Sequence, residues 1–269
     1  MNFRIVPVLA LSLLPLTTLA ATTVIKVFSF DFGANPPAHS DPVIENGDTV
    51  TWLWAGGIHS TTSAAGQAET WNSTIKSSGT FDHTFTNFGV FKYFCSLHGS
   101  DLGGGNVSGM SGKVIVAHGV VPNSMSLFRG KLVSGTVAQV GSSDNQYLNL
   151  AQGAVKYGEK FTVVADFSTT SPILAPTTLA VNVEDNVSST GVRHQISLWN
   201  NETSSYEPVG SGVAPQADAV FQTLSTGTLS RFVDQTSGLV KVRVSYASSL
   251  TSLPQRYTAH IDRLAVLVL

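Results

Sequence analysis

Four residues of this chain have the types and spacing for metal chemistry. Cys95, the single cysteine, closes the run Val90-Phe-Lys-Tyr-Phe-Cys95 and is followed by Ser96-Leu97-His98, a Cys-x-x-His step. Upstream, the run TVTWLWA leads through Gly56-Gly57-Ile58 to His59. Downstream, Gly109-Met110-Ser111-Gly112 feeds into KVIVAH. A thiolate and two imidazoles in a trigonal arrangement, with a weak axial thioether, suit copper: soft sulfur favours Cu(I), and imidazole tolerates Cu(II). Zinc is the competing metal, but structural zinc draws on several closely spaced Cys and His, and this chain has one Cys to give. Alone, Cys95 would read as a small buried hydrophobe; the two histidines and the flanking runs favour ligation.

Such a site needs a rigid frame, and the sequence supplies strands. Asp48–Ala55 follows the Asn46-Gly47 turn signal and puts Val50, Trp52 and Trp54 on one face. Gly79–Phe85 places Phe81, His83 and Phe85 together, and Val90–Cys95 does so with Phe91, Tyr93 and Cys95. Thr22–Phe30 and Gly112–His118 read as further strands. No window has a helical period, so residues 21–118 are expected to form an antiparallel sandwich or barrel.

Here the chain resembles the cupredoxins, the plastocyanin/azurin-like group among them, over about residues 22–118. The resemblance is carried by Tyr93-x-Cys95-x-x-His98 and by Gly109-Met110-x-Gly112-x-Val114-x-Val116. It is supported by Asp48-Thr-Val-x-Trp52 with Gly57-x-His59, and by the run Gly79-x-Phe81-x-x-x-Phe85-x-x-x-Gly89. It implies a Greek-key sandwich and one type 1 (blue) copper ion. His59, Cys95 and His98 would be equatorial ligands, Met110 the axial one, and the His98 ring the exit for an electron. Two departures stand out. Residues 99–109 make a longer connection than in plastocyanins, with a flexible Gly103-Gly104-Gly105, so that a carbonyl near Gly57 or Ile58 could share the axial role. Ser60 stands where plastocyanins often carry Asn.

Composition bounds the rest. The chain has 269 residues, a formal net charge of −2 and 12% charged residues, which excludes the basic footprint of a nucleic-acid binder. One cysteine excludes an internal disulfide framework. Residues 1–20, with Arg4 ahead of the apolar run Ile5–Leu16 and the small-x-small Thr18-Leu19-Ala20, read as a secretory signal peptide. The chain is therefore expected in the periplasm or outside the cell, without a transmembrane anchor in the mature form. In that oxidising space a lone thiol is buried, paired with another chain, or bound to metal.

Residues 119–124 read as a linker. Residues 125–269 show strand-like runs at Lys160–Phe167, Leu179–Glu184, Arg193–Trp199, Ala219–Leu224, Leu239–Tyr246 and Tyr257–Leu269. A second, jelly-roll-like β-sandwich is expected there, loosely similar to modules of bacterial secreted proteins, some of them carbohydrate- or surface-binding. Trp199 and Tyr206 could form an aromatic platform, although packing is the simpler role of Trp199, and Arg243 reads as paired or snorkelling. His39, His83, His118, His194 and His260 lack convergent partners in sequence, and Met125 reads as packing. No hydrolase elbow, P-loop or zinc-protease motif occurs, so no enzyme is expected. The leading expectation is one-electron transfer to an unidentified redox partner protein. The alternative is a copper-binding, storage or surface-adhesion protein whose copper does not shuttle, with a carbohydrate or surface ligand for the second sandwich.

Overall fold

A computed structural model describes residues 20–154, 160–248 and 256–269. The expected signal peptide lies outside the described residues except for Ala20. The chain is all-β, an N-terminal sandwich followed by a second one. The first contains β1 (Thr22–Phe28), β2 (Asp31–Gly33), β3 (Val43–Glu45), β4 (Thr49–Trp54), β5 (Thr62–Ser63), β6 (Thr80–Thr84), β7 (Gly89–Gly103) and β8 (Asn106–Val120). The second contains β9 (Ser124–Arg129), β10 (Lys131–Ser134), β11 (Leu148–Ala151), β12 (Val163–Thr170), β13 (Leu179–Val187), β14 (Val192–Asn200), β15 (Ser205–Val213), β16 (Ala219–Leu224), β17 (Leu239–Ser248) and β18 (Thr258–Val268). No helix among the described residues is long and apolar enough to cross a membrane.

Alternation builds the first core. Ile25 and Val27 of β1, Val50, Trp52 and Trp54 of β4, Phe91, Tyr93 and Cys95 of β7, and Val114 and Val116 of β8 all turn inward into one apolar cluster. The sheet β2-β1-β4-β6 covers one side of it, and β5-β7-β8-β3 the other. Two pairings depart from the antiparallel expectation: β1 runs parallel to β4, and β3 parallel to β8. Both partners are reached across long connections, which parallel neighbours require.

The connection 99–109, expected to be a flexible insertion, is instead a β-ladder. β7 and β8 continue past the core as a hairpin, with Gly99 opposite Gly109 and Gly103 opposite Asn106. Gly104 and Gly105, at φ of 60° and 73°, make its tip. A two-residue turn with both residues at positive φ matches the twist of paired strands, so the glycines close a hairpin rather than loosen a loop.

In the second sandwich, the sheet β15-β14-β17-β12-β9 packs on β16-β13-β18-β11-β10 around Phe167, Leu179, Ile196, Phe232, Val244 and Leu264. The two sandwiches share a sheet. Val120, Gly119 and His118 at the end of β8 pair with Val266, Leu267 and Val268 of β18, so the segment read as a linker begins inside a strand. A small apolar cluster of Val43, Ile115, Ala117, Ala180, Ala265 and Leu267 fills the seam. The Arg263–Glu45 ion pair and the bond from Gln222 Nε2 to Val43 O (2.7 Å) cross it.

Candidate metal centre

His59 is placed by its backbone. Its N–H donates to Lys76 O at 2.9 Å, Lys76 N–H donates back to His59 O at 2.8 Å, and Trp54 Nε1 donates to the same carbonyl at 3.1 Å. The turn before it needs glycine. Gly57 has φ 81°, and a Cβ there would lie 2.3 Å from His59 Nε2, so the imidazole packs directly on that backbone.

Cys95 and His98 are placed by a bulge. On the β7–β8 ladder Phe94 lies opposite Ser111 and Gly99 opposite Gly109. Four residues, Cys95 to His98, therefore face Met110 alone. Surplus residues on one strand bend it and re-aim its side chains; here they turn the Cys-x-x-His step toward His59. Glycines bracket the bulge for steric reasons. A Cβ on Gly99 would lie 2.7 Å from Ser108 O, and one on Gly109 would lie 2.5 Å from His98 O.

The three ligand atoms converge. His59 Nδ1 and His98 Nδ1 are 3.1 Å apart, Cys95 Sγ is 3.8 Å from the first and 3.4 Å from the second. The centre of that triangle lies about 2.0 Å from each corner, close to metal–imidazole bond lengths and a little short of metal–thiolate ones. Cys95 and His59 are buried and His98 is exposed. The amide of Ser60 donates to Cys95 Sγ at 3.3 Å. The Ser60 hydroxyl accepts from Ser96 N at 2.8 Å, tying the His59 turn to the Cys95 strand. Burial, and then the neighbouring His98, hold the His59 pKa below its ordinary value, which favours the neutral imidazole that metal ligation needs. Met110 is buried in the same apolar cluster as Cys95.

Phe30 was not foreseen. It holds φ 61° between β1 and β2, is largely exposed, and sets its ring edge-on to His98 (4.7 Å) and His59 (6.0 Å). In the sequence it closes the run Thr22–Phe30 that reads as a strand, whereas the strand ends at Phe28 and Phe30 lies in the turn that follows.

The remaining histidines stand elsewhere. His39 sits between Asp31 (2.6 Å) and Asp41 (3.2 Å). His83 meets Glu69 at 3.0 Å and stacks on Trp71, and His118 stacks on Phe88. His194 meets Asp185 at 2.9 Å, and His260 meets Asn149. Among the described residues, His59, Cys95 and His98 form the only group of three or more His, Cys, Asp or Glu whose ligand atoms lie close enough together for one metal ion.

No protein-family model matches the chain, and no curated protein matches it. Among solved structures it is similar to a CBM4 module (14% identity over 54% of this chain and 95% of that one, TM-score 0.35). It is also similar to SGBP-B from a xyloglucan utilization locus of Bacteroides uniformis (15% over 84% and 70%, TM-score 0.33). A third is TmCBM61, solved with a β-1,4-galactotriose (10% over 54% and 87%, TM-score 0.33). These likenesses concern the all-β sandwich.

The expectation of a blue-copper electron carrier with a redox partner is withdrawn, since these likenesses, which concern the sandwich alone, give it no support. The similar structures include carbohydrate-binding modules and also a heme-copper terminal oxidase dimer (18% identity over 41% of this chain and 78% of that one, TM-score 0.25). A sandwich hosts unrelated sites, so the fold by itself assigns no function to the group of His59, Cys95 and His98.

Proposed function

We propose that this chain is a copper-holding protein with a non-shuttling site, whose second sandwich binds an external ligand. The convergence of His59 Nδ1, His98 Nδ1 and Cys95 Sγ carries the first part. His59, Cys95 and His98 would hold the ion, with the Met110 thioether as the neighbouring soft donor. A bound copper ion would supply Lewis-acid and redox chemistry. The protein residues fix the ligands: the Lys76 bridge and Gly57 hold His59, the bulge holds Cys95 and His98, and the Ser60 amide donates to the Cys95 sulfur. Thiolate ligation also protects the lone thiol in an oxidising space. Metal analysis after copper loading is expected to give one ion per chain, resistant to a chromophoric Cu(I) chelator, and none in Cys95→Ser. Tighter binding of zinc than of copper would overturn the assignment.

The second part rests on one face of β14, β15 and β17. Arg243 lies over the Tyr206 ring at 3.9 Å and forks onto Asp166 at 2.7 and 2.8 Å. Trp199 meets Tyr206 edge-on at 5.2 Å. A cavity of about 360 Å³ opens there, lined among others by Phe128, Gln195, Ser197, Tyr206 and Arg243. Aromatic faces beside fixed polar groups suit the C–H faces and hydroxyls of a saccharide. Retention on immobilised polysaccharides tests this reading; passage through all of them unretarded would sink it.

A further inference from the structure

We infer that the chain is hydrolysed between Ala20 and Ala21, and that Asp48 is the receptor for the α-ammonium group this frees. The inference rests on the export expectation for residues 1–20 and is independent of the copper site.

Asp48 is a carboxylate with 9% of its surface exposed. One oxygen accepts from Glu45 N at 2.9 Å, and the other from Ala21 N at 2.7 Å. Among the described residues no Lys, Arg or His forms an ion pair with it. A buried carboxylate is costly without a cation, and here the group it reaches for is the backbone nitrogen at which the small-x-small pattern Thr18-Leu19-Ala20 ends. Both Ala20 and Ala21 are exposed, so the bond between them is open to a peptidase. Ala21 is meanwhile held from the other side. Thr49 N donates to its carbonyl at 2.9 Å, and β1 then pairs in parallel with β4 from Thr22 opposite Thr49. A cavity of about 570 Å³ adjoins this corner, lined by Ala20, Ala21 and Asp48 together with Asp41 and Glu184. Arg263 also lines it but is paired with Glu45, and the cavity leaves room for an ammonium group with three donors beside Asp48.

In the step itself, a peptidase adds water across the Ala20–Ala21 peptide bond. The new carboxylate departs on Ala20 with the leader. The amine stays on Ala21, takes up a proton at neutral pH, and turns the amide contact with Asp48 into an ammonium–carboxylate ion pair.

The test has two readings. The full chain, exported with its own leader, is expected to show an intact mass and N-terminal sequence beginning at Ala21; any other start overturns the cleavage. A mature chain extended by one glycine before Ala21 displaces the ammonium. It is expected to melt about 2–4 °C below the Ala21 form, with the difference vanishing in Asp48→Asn. An extension effect of equal size in both backgrounds, or none in either, overturns the role of Asp48. If Asp48→Asn does not fold, enzymatic acetylation of Ala21 replaces it: a lowered melting temperature supports the contact, an unchanged one overturns it.

Discussion

The Nδ1 atoms of His59 and His98 face each other 3.1 Å apart across a sequence separation of 39 residues. Two nitrogen lone pairs repel at that distance unless a proton or a metal ion lies between them, and the Cys95 sulfur stands beside both. The fold has thus brought together three groups whose donor atoms are close enough to share one cation.

Copper is therefore expected to stabilise the protein. A ligand that binds only the folded chain adds about 2.7 kcal/mol when its free concentration is 100 times its Kd. Thermal melting with and without Cu(I) measures this, and chelation reverses it. In Cys95→Ser the shift is expected to disappear.

Gly57 is expected to govern the metal site without touching the metal. Gly57→Ala drives a methyl group into His59 Nε2 and strains a residue at φ 81°. Copper affinity is expected to fall about 10–100-fold. Gly56→Ala is the control, because a Cβ there meets nothing within 4 Å. Equal effects of the two substitutions on chelator competition would refute the steric account.

Glu69 makes stability depend on pH. It is 5% exposed and accepts from the amides of Thr86 and Asn87 at 2.8 Å each and from Asn87 Nδ2 at 2.9 Å, with His83 Nε2 at 3.0 Å. Burial alone would raise its pKa. The Asn87 side chain, the Thr86 amide, His83 and the Asn87 amide outweigh burial and hold it below the ordinary carboxylate range. A depressed folded pKa means that, where the carboxylate titrates, the unfolded chain binds more protons than the folded one, so stability rises with pH there. The stabilisation is present above about pH 4.3 and is lost as pH falls through the folded value. Denaturant midpoints are expected to drop in that acid window. Glu69→Gln should cost about 1–3 kcal/mol at pH 7 and flatten the profile.

Tyr206 is expected to anchor the second ligand. Tyr206→Ala removes the ring under Arg243 and is expected to weaken oligosaccharide retention about tenfold, or about 1.4 kcal/mol. Phe128→Ala, at the exposed rim of the same cavity, is expected to act in the same direction while leaving the melting temperature unchanged. Affinity electrophoresis in polysaccharide gels reads both.

Much of the frame was legible because period-two alternation is a local property. Val50, Trp52 and Trp54, and likewise Phe91, Tyr93 and Cys95, point inward as their spacing requires. Ile196 and Leu198 lie buried while Trp199 is half-buried beside Tyr206. Short strands such as β2, β3 and β5 carry too few residues to show a period. The parallel pairing of β1 with β4 has no local signature at all, since it is chosen by which edges meet across the core.

The division between chain and fold is clearest at the metal centre. The sequence alone determined the donor types, the Cys-x-x-His spacing and the all-β character, because these follow from residue identity and periodicity. Only the tertiary structure decided that residues 99–109 form a ladder, that four residues bulge against Met110, that Phe30 covers the imidazoles, and that β8 joins the sheet of the second sandwich. Those outcomes depend on register, steric fit and hydrogen-bond pairing between segments far apart in the chain, and no run of neighbouring residues encodes them.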